Sequence, residues 1–156
     1  MSLPFYIVDV FADKKYAGNQ LAVFLDAQNL SSEEMQQMAR EINFAESTFV
    51  TKLDKQNNKA EIRIFTPAHE MQFAGHPIIG TSWVLMNKIF DNSPNEIKLE
   101  VPIGPISINK TEDLIWLKAA QPKFWDTFSK IDFTFFSNLQ VSDFENQFPI
   151  QEVTTG

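Results

Sequence analysis

The chain has 156 residues, a net charge of −7 and no cysteine, with hydrophobic residues at 44% and charged residues at 21%. This composition is typical of a globular domain, and its acidic balance argues against nucleic-acid binding because it repels phosphate. The absence of cysteine excludes disulfides, thiolate metal sites and thiol catalysis, and the two histidines lack a metal-binding spacing. Without a basic leader or an apolar run near the ~20 residues of a membrane span, the chain is predicted to be cytoplasmic, with no membrane partner.

Two strands and a capped helix are predicted first. "PFYIVDVF" (4–11) and "LAVFL" (21–25) are rich in β-branched and aromatic residues, and the turn "YAGNQ" separates them. The next segment, "SSEEMQQMAREI", is typical of a helix, in which Ser31 and Glu34 form a capping box and Asn43 is the stop. Its buried stripe follows the i, i+3, i+4, i+7 spacing and consists of Met35, Met38, Ala39 and Ile42.

The middle of the chain predicts five further strands and a second helix. "STFVTKL" and "AEIRIFT" alternate around the polar turn "DKQNNK", which suits a hairpin. Pro77 is predicted as the first residue of a helix, "PIIGTSWVLMNKI", that is apolar nearly all round and therefore buried. The last three strands are "EIKLEV", "GPISIN" and "DLIWLKA". This order predicts an α+β fold in which an antiparallel sheet wraps around a central helix.

The residue composition and hydrophobic pattern change from residue 122 onward. Seven of the fifteen phenylalanines lie in residues 124–148, where periodicity is weak, and "PIQEVTTG" begins to resemble another strand and turn. Core or interface burial explains these phenylalanines better than stacking on a ligand ring.

The stretch "FAGHPIIGT" places His76 between a glycine and a proline at a helix start. A helix N-terminus offers free N–H groups and a positive dipole end, and here Ile78, Ile79 and Gly80 are expected to donate to an anion. An imidazole beside that anion suits proton transfer. The alternative is a purely structural histidine, and local features favour it slightly.

Two other polar residues are candidates for the same site. Glu46 precedes an apolar strand in "NFAESTFV", where partial shielding from water would suit a general acid or base; an ordinary exposed glutamate is the alternative. Asn19 follows Gly18 in a turn and could orient a ligand or simply adopt a left-handed backbone. His69 is interpreted as a solvated loop residue, and Arg63 as facing solvent.

Taken in order, "YAGNQLAVF", "NFAESTFV" and "IRIFTPAHEMQFAGHPIIGT" resemble the PhzF-like isomerases of phenazine biosynthesis, which share the diaminopimelate epimerase fold. The resemblance covers most of residues 4–90. It implies two similar halves with the active site in the cleft between them. It also implies proton transfer on a small unsaturated carboxylic acid, such as a dihydro-hydroxyanthranilate, in a biosynthetic process that needs neither metal nor organic cofactor.

Site residues follow from the same resemblance. Glu46 matches the catalytic carboxylate that moves the proton, and His76 matches the histidine of the GH motif. The residues implied in substrate binding are Asn19, Ser47, Gly75, Pro77 and Ile78. The cysteine pair of the epimerases themselves is absent, which fits the glutamate-dependent PhzF-like branch.

The chain departs from the family pattern in its second half, because the "DPxTGSA"-like motif is missing. Residues 1–121 are therefore predicted to form the first epimerase-like domain, and 122–156 a linker and the beginning of a truncated second domain. Three possibilities stay open: a fragment of a longer isomerase, a homodimer paired through its aromatic C-terminal segment, or a catalytically inactive carboxylate-binding module.

Overall fold

The computed structural model describes residues 2–91 and 93–154. The chain divides into two compact units, the first ending at Lys118 and the second beginning at Ala119. In chain order the strands and helices are β1 (Phe5–Val10), β2 (Asn19–Phe24), α1 (Ser32–Ile42), β3 (Glu46–Asp54), β4 (Lys59–Phe65), β5 (Glu70–Met71), α2 (Gly75–Val84), β6 (Glu96–Val101), β7 (Gly104–Thr111), β8 (Leu114–Leu117), β9 (Lys123–Phe128), α3 (Lys130–Thr134) and β10 (Ile150–Thr154).

The first unit is built on one sheet, which has eight strands in the described part of the chain. Its order is β1-β2-β3-β4-β6-β7-β8, with β5 paired to β4. The predicted α+β arrangement of sheet and central helix is present, but the sheet is mixed rather than wholly antiparallel, since β2 pairs β3 and β4 pairs β6 in parallel. The reason is that α1 and α2 serve as crossover connections, which parallel neighbours require.

The two helices lie on opposite faces of this sheet. Alternate residues of β2 sort between them: Leu21 and Val23 join the larger core with α2, whereas Ala22 and Phe24 join a smaller core with α1. The sheet curls around α2, because both edge strands, β1 and β8, contact that helix. The helix is thereby enclosed, which explains why its sequence is apolar nearly all round.

Helix α1 forms as the sequence predicts. The amide of Glu34 donates to Ser31 Oγ at 3.2 Å, and the amide of Ser31 donates to Glu34 Oε2 at 2.8 Å, completing the capping box. The helix ends at Asn43, whose φ of 57° is the left-handed conformation that asparagine tolerates. Met35 and Ala39 are buried.

The predicted hairpin of β3 and β4 is also confirmed. The two strands pair antiparallel, with Asp54 opposite Lys59 at the turn. Asp54 shapes that turn, because its carboxylate accepts from the amide of Asn57 at 3.2 Å and from the Asn57 side chain at 2.7 Å.

The second unit contains β9, α3 and β10. Strands β9 and β10 pair antiparallel, so the strand predicted near the end of the sequence is present at Ile150–Thr154. The predicted turn at Thr155 and Gly156 lies outside the described residues. Large aromatic side chains of this unit are exposed, among them Phe124, Trp125, Phe135, Phe136 and Phe148. No helix within the described ranges is long and apolar enough to span a bilayer.

Candidate active site

Three elements begin at the same edge of the first unit. Because β2 and β3 run parallel, with Leu21 opposite Glu46, their first residues lie at the same edge, offset by two residues. Asn19 is the first residue of β2, Glu46 is the first of β3, and His76 is the second of α2. The topology therefore gathers residues that are distant in the sequence.

The side chains of these three residues meet around the imidazole. His76 Nε2 lies 3.4 Å from Glu46 Oε2. On the other side of the ring, His76 Nδ1 lies 3.4 Å from Asn19 Nδ2. The structure thus brings together the predicted acid/base, the predicted histidine and one predicted substrate-binding residue.

Burial sets the charge state of His76. Only 10% of its side chain is exposed, and 18% of the Glu46 side chain. Burial lowers the pKa of His76 below its ordinary value of 6.5, while the Glu46 carboxylate and the Gln20 carbonyl oppose that shift. At neutral pH the imidazole is therefore neutral.

Two polar atoms at the heart of the site lack a partner. Among the described residues, neither Glu46 Oε2 nor His76 Nε2 forms a hydrogen bond of good geometry, although both atoms are buried. An unsatisfied buried polar atom costs roughly 1–3 kcal/mol, so it calls for a structural or functional explanation. This corner of the fold therefore has hydrogen-bonding capacity that the described protein groups do not use.

Helix α2 begins earlier than the sequence predicts. Its first residue is Gly75, with Ala74 as the N-cap, so Pro77 is the third helical residue rather than the first. The amide of Ile78 already donates to the Ala74 carbonyl at 3.3 Å. The expectation that Ile78, Ile79 and Gly80 donate to an anion is therefore wrong, since their amides belong to the helix. By position, the free amides of the first turn are those of Gly75 and His76.

The remaining predicted substrate-binding residues occupy different environments. Gly75 faces open space, because a Cβ built there meets nothing within 4 Å. Ile78 is fully buried in the core beside α2, and Pro77 is buried as well. Ser47 alternates with Glu46 along β3 and so lies on the α1 face with Phe49. A role in substrate binding for Ser47, Pro77 and Ile78 stays a prediction.

His69 and Arg63 lie elsewhere. His69 is exposed in the turn between β4 and β5, where its amide donates to Thr66 Oγ1 at 3.0 Å, as expected of a loop residue. Arg63 is largely buried rather than solvent-facing, since only 25% of its side chain is exposed. It donates twice to Glu70, at 2.7 and 2.6 Å, and once to Ser32 at 2.9 Å, and it thereby ties β4 to α1.

Sequence analysis misses three contributors to the site. The Gln20 carbonyl raises the pKa of His76, against the larger effect of burial. The hydroxyl groups of Thr48 and Thr81 lie 2.8 Å apart and join β3 to α2 by a hydrogen bond. Thr48 could have been identified from the sequence, because it follows Glu46 by two residues on the same strand face. The partner on α2 and the backbone carbonyl left no signal in the sequence. The described residues contain no cluster of three or more acidic or histidine side chains that could hold a metal ion.

A family model for phenazine biosynthesis-like proteins matches residues 8–156. The chain belongs to the phenazine biosynthesis-like protein family. The trans-2,3-dihydro-3-hydroxyanthranilate isomerase of Pseudomonas aeruginosa is 38% identical over 130 residues, which cover 81% of this chain and 45% of that protein. The chain thus spans about half the length of this curated relative, which is named as an isomerase.

Solved structures agree on the fold. The crystal structure of a phenazine biosynthesis protein of the PhzF family from Bacillus anthracis matches with a TM-score of 0.81 and 29% identity, over 100% of this chain and 54% of that one. A probable proline racemase from Agrobacterium radiobacter matches with a TM-score of 0.55 over 81% of this chain and 44% of that one. At 12% identity the second likeness concerns the fold alone. The predicted α+β epimerase-like fold and the PhzF-like family are confirmed.

Proposed function

We propose that this chain carries the proton-transfer site of an isomerase that acts on a small unsaturated carboxylic acid of the dihydro-hydroxyanthranilate class. The observation that carries the proposal is the contact of 3.4 Å between Glu46 Oε2 and His76 Nε2, two buried atoms without another partner. The isomerase names of relatives such as the Pseudomonas aeruginosa protein support the reaction type.

In the proposed reaction, Glu46 is the catalytic residue. Its carboxylate takes a proton from a carbon of the substrate, so that a C–H bond breaks and an O–H bond forms on Glu46. The electron pair moves along the unsaturated system, and Glu46 returns the proton to a different carbon. The substrate is neither oxidised nor reduced overall, so the step requires neither a redox cofactor nor a metal. A general acid/base of this kind contributes about 10²- to 10⁴-fold in rate.

The start of α2 is proposed to hold the substrate's carboxylate. The amides of Gly75 and His76 are free by position, and the helix dipole favours a negative charge there. The open space at Gly75 lets the substrate approach the backbone closely. The carboxylate would then lie beside Glu46, which fits abstraction from a nearby carbon.

The organisation of the whole protein is proposed from the same resemblance. Residues 1–121 are assigned to a first epimerase-like domain, and 122–156 to a linker and the beginning of a second. The exposed aromatic side chains of the second unit support a homodimer as the working form.

The test is deuterium incorporation, with the protein as expressed from its gene incubated in D₂O with trans-2,3-dihydro-3-hydroxyanthranilate. We expect the substrate to be isomerised, with solvent deuterium entering the product to the extent that the proton on Glu46 exchanges before it is returned. Glu46→Gln is expected to reduce the isomerisation rate by at least about 10²-fold while the thermal unfolding midpoint is retained. Glu41→Gln, which neutralises an exposed glutamate of α1, is the matched control. Exchange that survives in Glu46→Gln contradicts the assignment. Saturable binding without any isomerisation by the native protein instead supports the carboxylate-binding module.

A further inference from the structure

Thr48 and Thr81 form a polar contact inside the core, between the two elements that carry Glu46 and His76. Their hydroxyl oxygens lie 2.8 Å apart, and both residues are fully buried. The core between this helix and the sheet is built mainly from apolar side chains, such as Ile78 on α2. A pair of hydroxyl groups in such surroundings calls for a reason.

Apolar packing and the hydrogen bond restrain helix α2 in different ways. A Cβ at Gly80 would lie 2.6 Å from Val10 Cγ2 and 2.7 Å from Leu21 Cδ2, so the helix backbone already lies close against β1 and β2. Apolar contacts are non-directional, and they hold the helix near the sheet without selecting one position along the strands. A hydrogen bond weakens steeply away from its best distance and angle, so the contact of Thr81 with β3 favours one position.

The hydrogen bond and the candidate active site are spaced alike along both elements. Thr48 lies two residues beyond Glu46 on the same strand face, which is about 7 Å along β3. Thr81 lies five residues beyond His76, which is about 7.5 Å along α2. A slide of the helix that breaks the hydrogen bond therefore also changes the separation of 3.4 Å between Glu46 Oε2 and His76 Nε2.

We propose that Thr48 and Thr81 are positioning residues that set where His76 lies relative to Glu46. The inference rests on the proposed function, in which Glu46 transfers the proton. Stability alone does not require two threonines here, because two valines of the same shape would leave neither hydroxyl group unpaired. Catalysis does require a fixed geometry, since a misplacement of about 1 Å can lower a rate by about 10²-fold.

The test is the double variant in which Thr48→Val and Thr81→Val are combined, assayed with trans-2,3-dihydro-3-hydroxyanthranilate. We expect kcat to fall about tenfold while KM changes less than about twofold, because the site is displaced but its groups are all present. Urea denaturation is expected to show a folded protein of nearly native stability. Thr48→Ser, which keeps the hydroxyl group, is expected to retain the native kcat.

Ser82→Ala is the matched control, since it removes an equally buried hydroxyl group from the same helix. That hydroxyl donates to the Ile78 carbonyl at 2.7 Å, within α2, so its loss should leave kcat unchanged. A folded double variant with the native kcat overturns the proposal. Should the double variant fail to fold, Thr81→Val alone decides by the same criterion, because Thr48 keeps the Ala22 carbonyl as an acceptor.

A second readout needs no substrate and separates this inference from the proposed function. Histidine NMR follows the titration of His76, with exposed His69 as the internal reference. Burial lowers the pKa of His76, so a displaced and better hydrated ring in the double variant should titrate closer to the ordinary value of 6.5. If the native protein shows no isomerisation, the proposed function is contradicted and this titration decides. An unchanged His76 titration in the folded double variant then overturns the inference.

Discussion

Thr48 and Thr81 join β3 to α2 through a hydrogen bond of 2.8 Å between two hydroxyl groups that are fully buried. Thr48 follows Glu46 by two residues on the same strand face, and Thr81 lies about one and a half helical turns beyond His76. The Thr48 hydroxyl also contacts the Ala22 carbonyl of β2 at 3.5 Å. These polar contacts hold α2, which carries His76, against β2 and β3. Those two strands begin with Asn19 and Glu46.

Replacing Thr48 with valine is expected to destabilise the protein by about 1–3 kcal/mol, because the Thr81 hydroxyl is left in the core without its acceptor. Thr81→Val is expected to cost less, since Thr48 can still donate to Ala22. The double variant is expected to cost less than the sum of the two. Urea denaturation of the four proteins measures this coupling.

Ser82→Ala provides the control for that cycle. Ser82 is equally buried on α2, but its hydroxyl donates to the Ile78 carbonyl within the helix at 2.7 Å. Its effect on unfolding free energy should therefore add to that of Thr48→Val. Equal costs for Thr48→Val and Thr81→Val, with full additivity, would argue against a shared hydrogen bond.

Replacing two glycines near the site with alanine is expected to affect the stability of the protein very differently. A Cβ at Gly18 would lie 2.5 Å from the Val10 carbonyl oxygen, so Gly18→Ala should destabilise the β1–β2 hairpin by about 1–3 kcal/mol. A Cβ at Gly75 meets nothing within 4 Å, so Gly75→Ala should change stability by no more than about 0.5 kcal/mol. Gly75→Ala is nevertheless expected to weaken substrate carboxylate binding severalfold.

Thermal unfolding and substrate titration of the two variants separate these effects. A large loss of stability in Gly75→Ala would mean that the open space is needed by the fold. Unchanged substrate affinity in a stable Gly75→Ala protein would contradict the placement of the carboxylate at the start of α2.

The stability of the protein is expected to fall with acidification through the titration of His76. Since burial lowers the pKa of His76 in the folded state, the unfolded chain takes up its proton first as the pH drops. The contribution is therefore complete above the unfolded value of 6.5 and is lost progressively as the pH falls toward the folded pKa. A single group accounts for at most about 1.4 kcal/mol per pH unit.

Denaturant titrations at pH 7.5 and pH 5.5 measure this dependence, and His76→Gln should show a smaller difference between the two conditions. His69→Gln, which removes the exposed histidine, is the control and should behave as the native protein. A His76→Gln variant with the full native dependence would assign the effect to other groups.

The aromatic segment of the second unit is expected to mediate self-association. Phe135 and Phe136 are 79% and 89% exposed. We expect sedimentation to show a dimer at micromolar concentration, and Phe135→Ser with Phe136→Ser to yield a monomer. Tyr16→Asn, which removes an exposed aromatic from the first unit and tolerates its φ of 64°, is the control. A monomeric native protein would end the dimer prediction.

Sequence analysis predicted the local structure of the first unit well where side chains dictate it. The capping residues Ser31 and Glu34, the stop at Asn43 and the alternation of β3 and β4 all correspond to short-range interactions. The parallel pairing of β2 with β3 was missed, although the predicted helix between the two strands is the kind of crossover that parallel neighbours require. Which strands become neighbours depends on tertiary packing, and the local patterns do not specify it.

The start of α2 shows a different limit. Proline is tolerated throughout the first helical turn, because the amides there are unpaired in any case. The sequence could therefore not distinguish Pro77 as first residue from Pro77 as third. That difference of one half-turn decides which amides are free, and it moves the proposed anion contacts from Ile78 to Gly75.

The turn between β3 and β4 stands at the far end of the strand that starts with Glu46. Nine residues of strand place Asp54 about 25 Å from Glu46, and residues 55–57 of the turn are exposed. A peptide tag or fluorophore attached there could report on the protein while leaving the chemistry undisturbed. Inserting residues into this exposed turn is expected to leave the start of β3 unchanged.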